Sequence, residues 1–329
     1  MKRIAFFRFL FRFLVTLVAL GIASIWYGMP HAVAPYLLQL NRSLSGLKSQ
    51  QVVAAAHTIH YLDSAPNTPD SQAHDTLPVV LLHGIFAEKD HWVDFARTLP
   101  GQVRVLAPDI PGFGESTRLD HAPYDYAAHT ERLAAWMDAL GLERVHLAGN
   151  SMGGTIAALF ALRHPQRVAS VAFIGAPHGV RSLQPSPMDH QIDAGQRPLV
   201  AQDAAAFEAM MNLVFEQRPL LPYPILHASR EAAVGNAASN ARLWDAQLKD
   251  RFLLQERLQA AGGLPVPTLV LWGAQDRVFD VSGLPVLQGL LRQGHAQRLE
   301  GIGHLPMMED PKGTAWHYTR FLTTLQKSP

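Results

Sequence analysis

The chain has 329 residues and no cysteine. That absence excludes disulfides, thiolate metal sites and cysteine nucleophiles together. It leaves the compartment open, because a core of this size stands without covalent staples. Charge is also scarce: charged residues make up 17% and the formal net charge is +1. Such a surface sets up no broad attraction for polyanions, so no nucleic-acid partner is expected. No internal repeat is visible. Hydrophobic residues reach 48%, which suits a packed globule and argues against disorder. The length fits one large α/β domain with an insertion.

The first thirty residues differ from the rest. From Ile4 to Gly28 the chain is apolar except for Arg8 and Arg12, and Phe13–Pro30 holds 18 consecutive uncharged residues. As a helix these span about 27 Å, close to the roughly 30 Å of a bilayer's hydrocarbon core. Arg8 and Arg12 lie four apart on one face and can snorkel toward headgroups. Ala32-Val33-Ala34 has the form of a signal-peptidase site, but Pro35 would then begin the mature chain, and the apolar stretch exceeds a usual signal-peptide core. Residues 1–30 therefore read as an uncleaved membrane anchor, with secretion after cleavage as the alternative. A buried soluble helix is disfavoured, because a helix apolar all round needs lipid or a very large core. Lys2, Arg3, Arg8 and Arg12 keep the leading end cytoplasmic and place the remainder outside, in the periplasm of a Gram-negative cell.

The body alternates strand and helix patterns. Residues 52–61 supply one or two opening strands, and the Pro-, Asn- and Asp-rich stretch 63–76 reads as a surface turn. Continuous apolar runs at 78–83, 103–107, 145–148, 168–174 and 268–272 are expected as buried strands, with a last strand near 297–299. Helical spacing marks 90–99, 126–140, 151–163 and 314–325. This rhythm predicts a mostly parallel sheet flanked by helices. Residues 177–264 break it with no clear strand. Asp203 there has the look of an N-cap before Phe207, Met210, Met211 and Val214 on one helical face. The division expected is an anchor (1–30), a first core segment (31–176), an inserted helical cap (177–264) and a second core segment (265–329).

Chemistry concentrates at a few places. Gly149-Asn-Ser151-Met-Gly153 matches G-x-S-x-G between a buried strand and a helix, the context of a nucleophile elbow. The competing reading is an ordinary strand-to-helix turn with an N-cap serine. His83-Gly84-Ile85 ends the first buried strand, and the backbone N–H groups of Ile85 and Met152 are the expected oxyanion hole. His83 itself reads as a brace for that loop. Asp276 follows the 268–272 strand and is the candidate acid, with Asp280 its nearest competitor. His304, on the glycine-flanked loop Gly301-Ile-Gly-His-Leu-Pro, comes last in order and is the candidate base. Residues 108–116 lack the G-x-x-x-x-G-K-[ST] pattern of a phosphate loop and read as a shaping loop. No cofactor and no metal site are expected.

Taken together, His83-Gly84, Asp109-Ile-Pro-Gly-Phe-Gly114, Gly149-Asn-Ser-Met-Gly-Gly154, Val270-Leu-Trp-Gly273 with Asp276, and Gly303-His-Leu-Pro-Met-Met-Glu309 resemble lipases and esterases of the α/β-hydrolase superfamily. The resemblance runs from about residue 78 to the C-terminus and is nearest to bacterial lipases and membrane-bound monoacylglycerol lipases. It implies hydrolysis of carboxylic esters, such as monoacylglycerols or short to medium acyl esters, through a Ser151–His304–Asp276 triad. The motifs specify fold and triad, not the acyl chain, the alcohol group or the oligomeric state. Ile85-Phe86 departs from the Phe-Gly or Phe-Ser that often follows HG, a change that keeps backbone donation but alters the acyl pocket. Relatives of the fold that cleave C–C bonds of dienoic diketo acids are a rival reading, which an anchor disfavours. Dehalogenases and epoxide hydrolases attack with aspartate, so Ser151 argues against both. A non-catalytic membrane-tethered binding module would lack a triad member, and none is missing.

Overall fold

The computed structural model describes residues 2–65 and 77–326, so most of the surface turn expected over 63–76 lies outside the described residues. Helix α1 (Lys2–Gly28) carries the apolar run. Among the described residues it is the one helix long and apolar enough to cross a membrane, over Phe6–Gly28, and none of that segment is buried. Helix α2 (Pro30–Leu44) follows directly. Proline at its first position costs no hydrogen bond, because the first N–H groups of a helix have no internal acceptor. Ala32-Val33-Ala34 thus lies within a helix, and Ala34 is buried.

Strands β1 (Lys48–Ala54) and β2 (His57–Asp63) form an antiparallel hairpin. Then come β3 (Val79–Leu82), a short 3₁₀ turn (Lys89–Trp92), α3 (Val93–Arg97), β4 (Val105–Pro108), α4 (Tyr126–Ala139), β5 (Val145–Ser151), α5 (Met152–Arg163) and β6 (Val168–Pro177). After a long connection, β7 (Thr268–Gly273) and β8 (Gly294–Leu299) complete one eight-stranded sheet in the order β1-β2-β4-β3-β5-β6-β7-β8. β3 to β8 are parallel to one another, and β2 meets β4 antiparallel. All four residues of β3 and all six of β7 are buried, as continuous apolar runs require when helices cover both faces. The chain steps from β3 outward to β4 and returns to β5 on the other side of β3. That reversal opens a crevice at the carboxyl ends of β3 and β5, where ligands bind in open α/β sheets.

The connection between β6 and β7 holds five helices: α6 (Pro187–Asp193), α7 (Ala204–Val214), α8 (Tyr223–Gly235), α9 (Ala237–Leu248) and α10 (Leu253–Ala260). Asp203 caps α7 by accepting the Ala206 N–H at 2.8 Å. Beyond β7 lie α11 (Gly283–Gln288), then after β8 the short α12 (Pro306–Glu309) and α13 (Pro311–Gln326).

A buried ion-pair network ties α2 to the core. Arg42 reaches both oxygens of Asp90 at 2.6 Å. Lys89 and Asp109, both fully buried, pair at 2.7 Å, and Asp109 also accepts the N–H groups of Lys89 and Glu115. Burial disfavours the Lys89 charge, yet the neighbouring carboxylates, Asp109 foremost, outweigh it and raise the pKa. The loop of residues 108–116 is thereby pinned. Gly114 is required in it, because a Cβ there would sit 2.3 Å from the Asp109 carboxyl carbon. Removing one partner leaves the other as an uncompensated buried charge, so Lys89→Met is expected to cost about 3–5 kcal/mol in urea unfolding. A loss under about 1 kcal/mol would show the pair to be solvated.

Candidate active site

Ser151 ends β5 at φ 51° and ψ −117°, and α5 begins at the next residue. A non-glycine residue there is strained by roughly 1–3 kcal/mol, a cost that surrounding packing must hold in place. Two glycines allow the turn. A Cβ on Gly153 would lie 2.2 Å from the Leu82 carbonyl oxygen of β3, and one on Gly149 would lie 2.4 Å from the Gly153 carbonyl carbon. The helix therefore starts hard against the sheet, with its unpaired N–H groups and positive end beside Ser151.

The loop after β3 lies against this turn. A Cβ on Gly84 would approach Asn150 Oδ1 to 2.8 Å and Ser151 Cβ to 3.3 Å. Ile85 lines the space beside Ser151, and Met152 is the first residue of α5. His83 is fully buried and braces the loop: its Nδ1 is 2.7 Å from the Gly84 carbonyl, and its Nε2 accepts the Ile110 N–H at 2.9 Å. An acceptor Nε2 puts the ring proton on Nδ1. Burial lowers the His83 pKa, so the ring is neutral. Phe86 sits at φ 57°, where glycine would be unstrained.

His304 is buried, and its Nδ1 lies 2.8 Å from Asp276 Oδ2. The other Asp276 oxygen accepts the N–H groups of Val278 and Phe279 at 2.8 and 3.0 Å, which fixes the carboxylate plane. With Nδ1–H given to Asp276, Nε2 is left as the basic nitrogen. Asp280 is elsewhere: its carboxylate accepts the Ser282 N–H and its carbonyl the Ser182 hydroxyl.

Two residues with no role assigned from sequence position the His304 loop. Asn150 donates from Nδ2 to the carbonyls of Ile174 and His304, both at 2.9 Å, and so links the Ser151 turn to that loop. The Glu309 carboxylate accepts the N–H groups of Gly303, Leu305, Glu216 and Gln217, joining the loop to the chain just after α7. Glu309 belongs to the motif quoted above; its position three residues into a proline-started helix turn was the available signal.

Ser151 stands at the meeting of two cavities. One, of about 340 Å³, is lined by Ser151, His304, Glu88 and His91 from the core and by Phe207, Met210, Met211, Val214 and Leu226 from α7 and α8. The other, of about 420 Å³, is lined by Ile85, Ser151, Tyr126, His178, Trp244 and Phe279. Both fall in the size range of small-molecule sites. Tyr126 and His178 meet at 2.8 Å through the hydroxyl and Nδ1.

Several buried groups have shifted protonation. Burial above all pushes His91, His146 and His178 down to about 4 and His129 down to about 3. An unfolded imidazole, with its ordinary value near 6.5, takes a proton that these folded rings refuse. Their contribution to stability is complete above that value and is lost as pH falls toward about 4. Glu88 works oppositely: burial first, then Asp90 and Asp109, push it up to about 7, so it favours the fold increasingly as pH falls from 7 to 4.5. The histidines outnumber it, so the unfolding temperature is expected to drop between pH 7 and 5, and more steeply in Glu88→Gln. A flat profile would contradict buried neutral rings.

The sequence profile of the alpha/beta hydrolase fold family matches residues 78–311, and the chain belongs to that family. Among curated relatives, the monoacylglycerol lipase abhd6-B of Xenopus laevis is 30% identical over 260 residues, covering 76% of each chain. Lipase 3 of Moraxella sp. is 27% identical over 301 residues, covering 88% of this chain and 90% of that one. Among solved structures, a membrane phospholipase A described as a bacterial virulence factor superposes with a TM-score of 0.84 at 37% identity, over 96% of this chain and 99% of that one.

Proposed function

We propose that this protein is a membrane-anchored serine hydrolase that cleaves acyl esters of lipids, monoacylglycerols or glycerophospholipids. The observation that carries the reading is the buried Asp276–His304 pair at 2.8 Å beside a strained Ser151 at the meeting of two cavities. In the reaction, His304 Nε2 takes the Ser151 hydroxyl proton as Oγ attacks the ester carbonyl. The N–H groups of Ile85 and Met152 receive the developing oxyanion, each worth about 3–4 kcal/mol of barrier. His304 then returns the proton to the departing alcohol, leaving an acyl-Ser151. Water, deprotonated by His304, releases the fatty acid and regenerates the serine. Asp276 holds the imidazole and stabilises its cationic form without taking its proton. The cavity under Phe207, Met210, Met211 and Val214 suits the acyl chain, so the helices between β6 and β7 act as a cap. The names of the relatives support a lipid ester substrate.

The 23 residues of Phe6–Gly28, apolar but for Arg8 and Arg12 near the start, give α1 about 34 Å of helix, enough to span a bilayer. With its basic end cytoplasmic, the catalytic domain faces away from the cytoplasm. Activity should pellet with membranes, and removal of residues 1–28, which leaves α2 whole, should release it. Soluble activity in the full chain would overturn the anchor. The substrate is tested with p-nitrophenyl esters of rising chain length beside monoacylglycerols, triacylglycerols, glycerophospholipids and a dienoic diketo acid. Turnover of the lipid esters is expected; turnover of the diketo acid alone would replace ester cleavage by C–C cleavage.

A further inference from the structure

One group of three metal-ligating side chains converges among the described residues, and it lies outside the hydrolytic site. His31, on the first turn of α2, meets His227 and Glu231 of α8. The ligand atoms of the three lie within 4.8 Å of one another. His31 Nε2 is 2.6 Å from Glu231 Oε2, His227 Nε2 is 3.5 Å from Glu231 Oε1, and the two imidazole rings meet edge to face at 5.4 Å. His227 and Glu231 are four residues apart on one helix, the spacing that lets two side chains of a helix share an ion.

We propose that His31, His227 and Glu231 bind one divalent ion of the zinc class, joining the N-terminal helices to the helix that roofs the active-site cavity. Two imidazoles and a carboxylate are a zinc donor set, with a fourth position left for water. Tetrahedral ligands at zinc bond lengths stand about 3.3 Å apart. The two imidazoles reach the Glu231 carboxylate at 2.6 and 3.5 Å, either side of that value, and all three ligand atoms lie within 4.8 Å of one another. The His227 Nδ1 atom is buried with no hydrogen-bond partner, so apart from Glu231 little polar contact holds this ring. Packing already brings the elements together: the Tyr27 ring lies 4.9 Å from that of Tyr223, at the start of α8. Leu226, Ser229 and Ala233 of the same helix line the cavity that reaches Ser151. An ion held here would therefore fix α8 against the membrane-proximal helix and restrain the roof of the cavity.

The test uses the full chain in detergent, stripped with EDTA and titrated with zinc chloride by calorimetry, with cobalt(II) absorption as a report of tetrahedral geometry. The expected result is one saturable zinc per chain, a raised unfolding temperature and slower amide exchange over residues 223–235. Binding should weaken at least about tenfold in His31→Ala, His227→Ala and Glu231→Gln, while His121→Ala, at an exposed histidine outside the cluster, binds as the parent does. His31 and Glu231 are surface side chains, so their variants keep the fold and leave the outcome readable. No saturable zinc uptake by the parent, or uptake unchanged in these three variants, would overturn the proposal. Neither result depends on ester turnover.

Discussion

Replacing Ser151 with alanine is expected to lower ester turnover by about 10⁵- to 10⁶-fold, because in the proposed mechanism Ser151 is the nucleophile of a unit whose members act together. The residual rate over water would come from the oxyanion donors and from binding. The fold should survive. Alanine is smaller than serine, the Ser151 hydroxyl is not what fixes the turn, and the closely approaching backbones at Gly149 and Gly153 hold it. The unfolding temperature is therefore expected to stay within about 2–4 °C of the parent. Turnover within about tenfold of the parent would remove Ser151 from the mechanism.

The second large effect belongs to the proposed triad acid, Asp276. Asp276→Asn is expected to reduce kcat by about 10⁴-fold with little change in structure, because an amide facing Nδ1 favours the wrong tautomer of His304. Asp280→Asn should cost less than about tenfold, since that carboxylate only closes a turn onto the Ser282 N–H. The pair of variants separates two acids four residues apart in sequence. A larger loss at position 280 would reassign the triad.

The core sheet was legible because strands buried on both faces leave continuous apolar runs. The segments 79–82, 105–108, 145–151 and 268–273 coincide with such runs to within a few residues. The opening hairpin was less clear. Its turn puts Ala55 and Ala56 at φ 47° and 60°, where asparagine or glycine usually announces the reversal. Helix α2 was not expected: Pro35 figured only as the residue after Ala32-Val33-Ala34, and the helix's role appears only when Arg42 meets Asp90 and α2 meets α8 in space. The same limit applies to Asn150 and Glu309. Both lie inside quoted motifs, but their partners are backbone groups brought near by folding, so the motifs did not disclose what either residue holds. Asp276 and His304 were candidates from order and from their strand-end loops; the 2.8 Å contact that brings them together spans 28 residues and is a property of the fold. His31 and Glu231, 200 residues apart, carry no sequence signal of each other.

Mass-spectrometric mapping of a fluorophosphonate adduct on the intact, folded protein reads the reactivity of one hydroxyl. The expected outcome is a single stoichiometric adduct on Ser151, formed far more slowly in His304→Ala. Folded protein that stays unlabelled at Ser151, or that is labelled at another serine, would contradict the account.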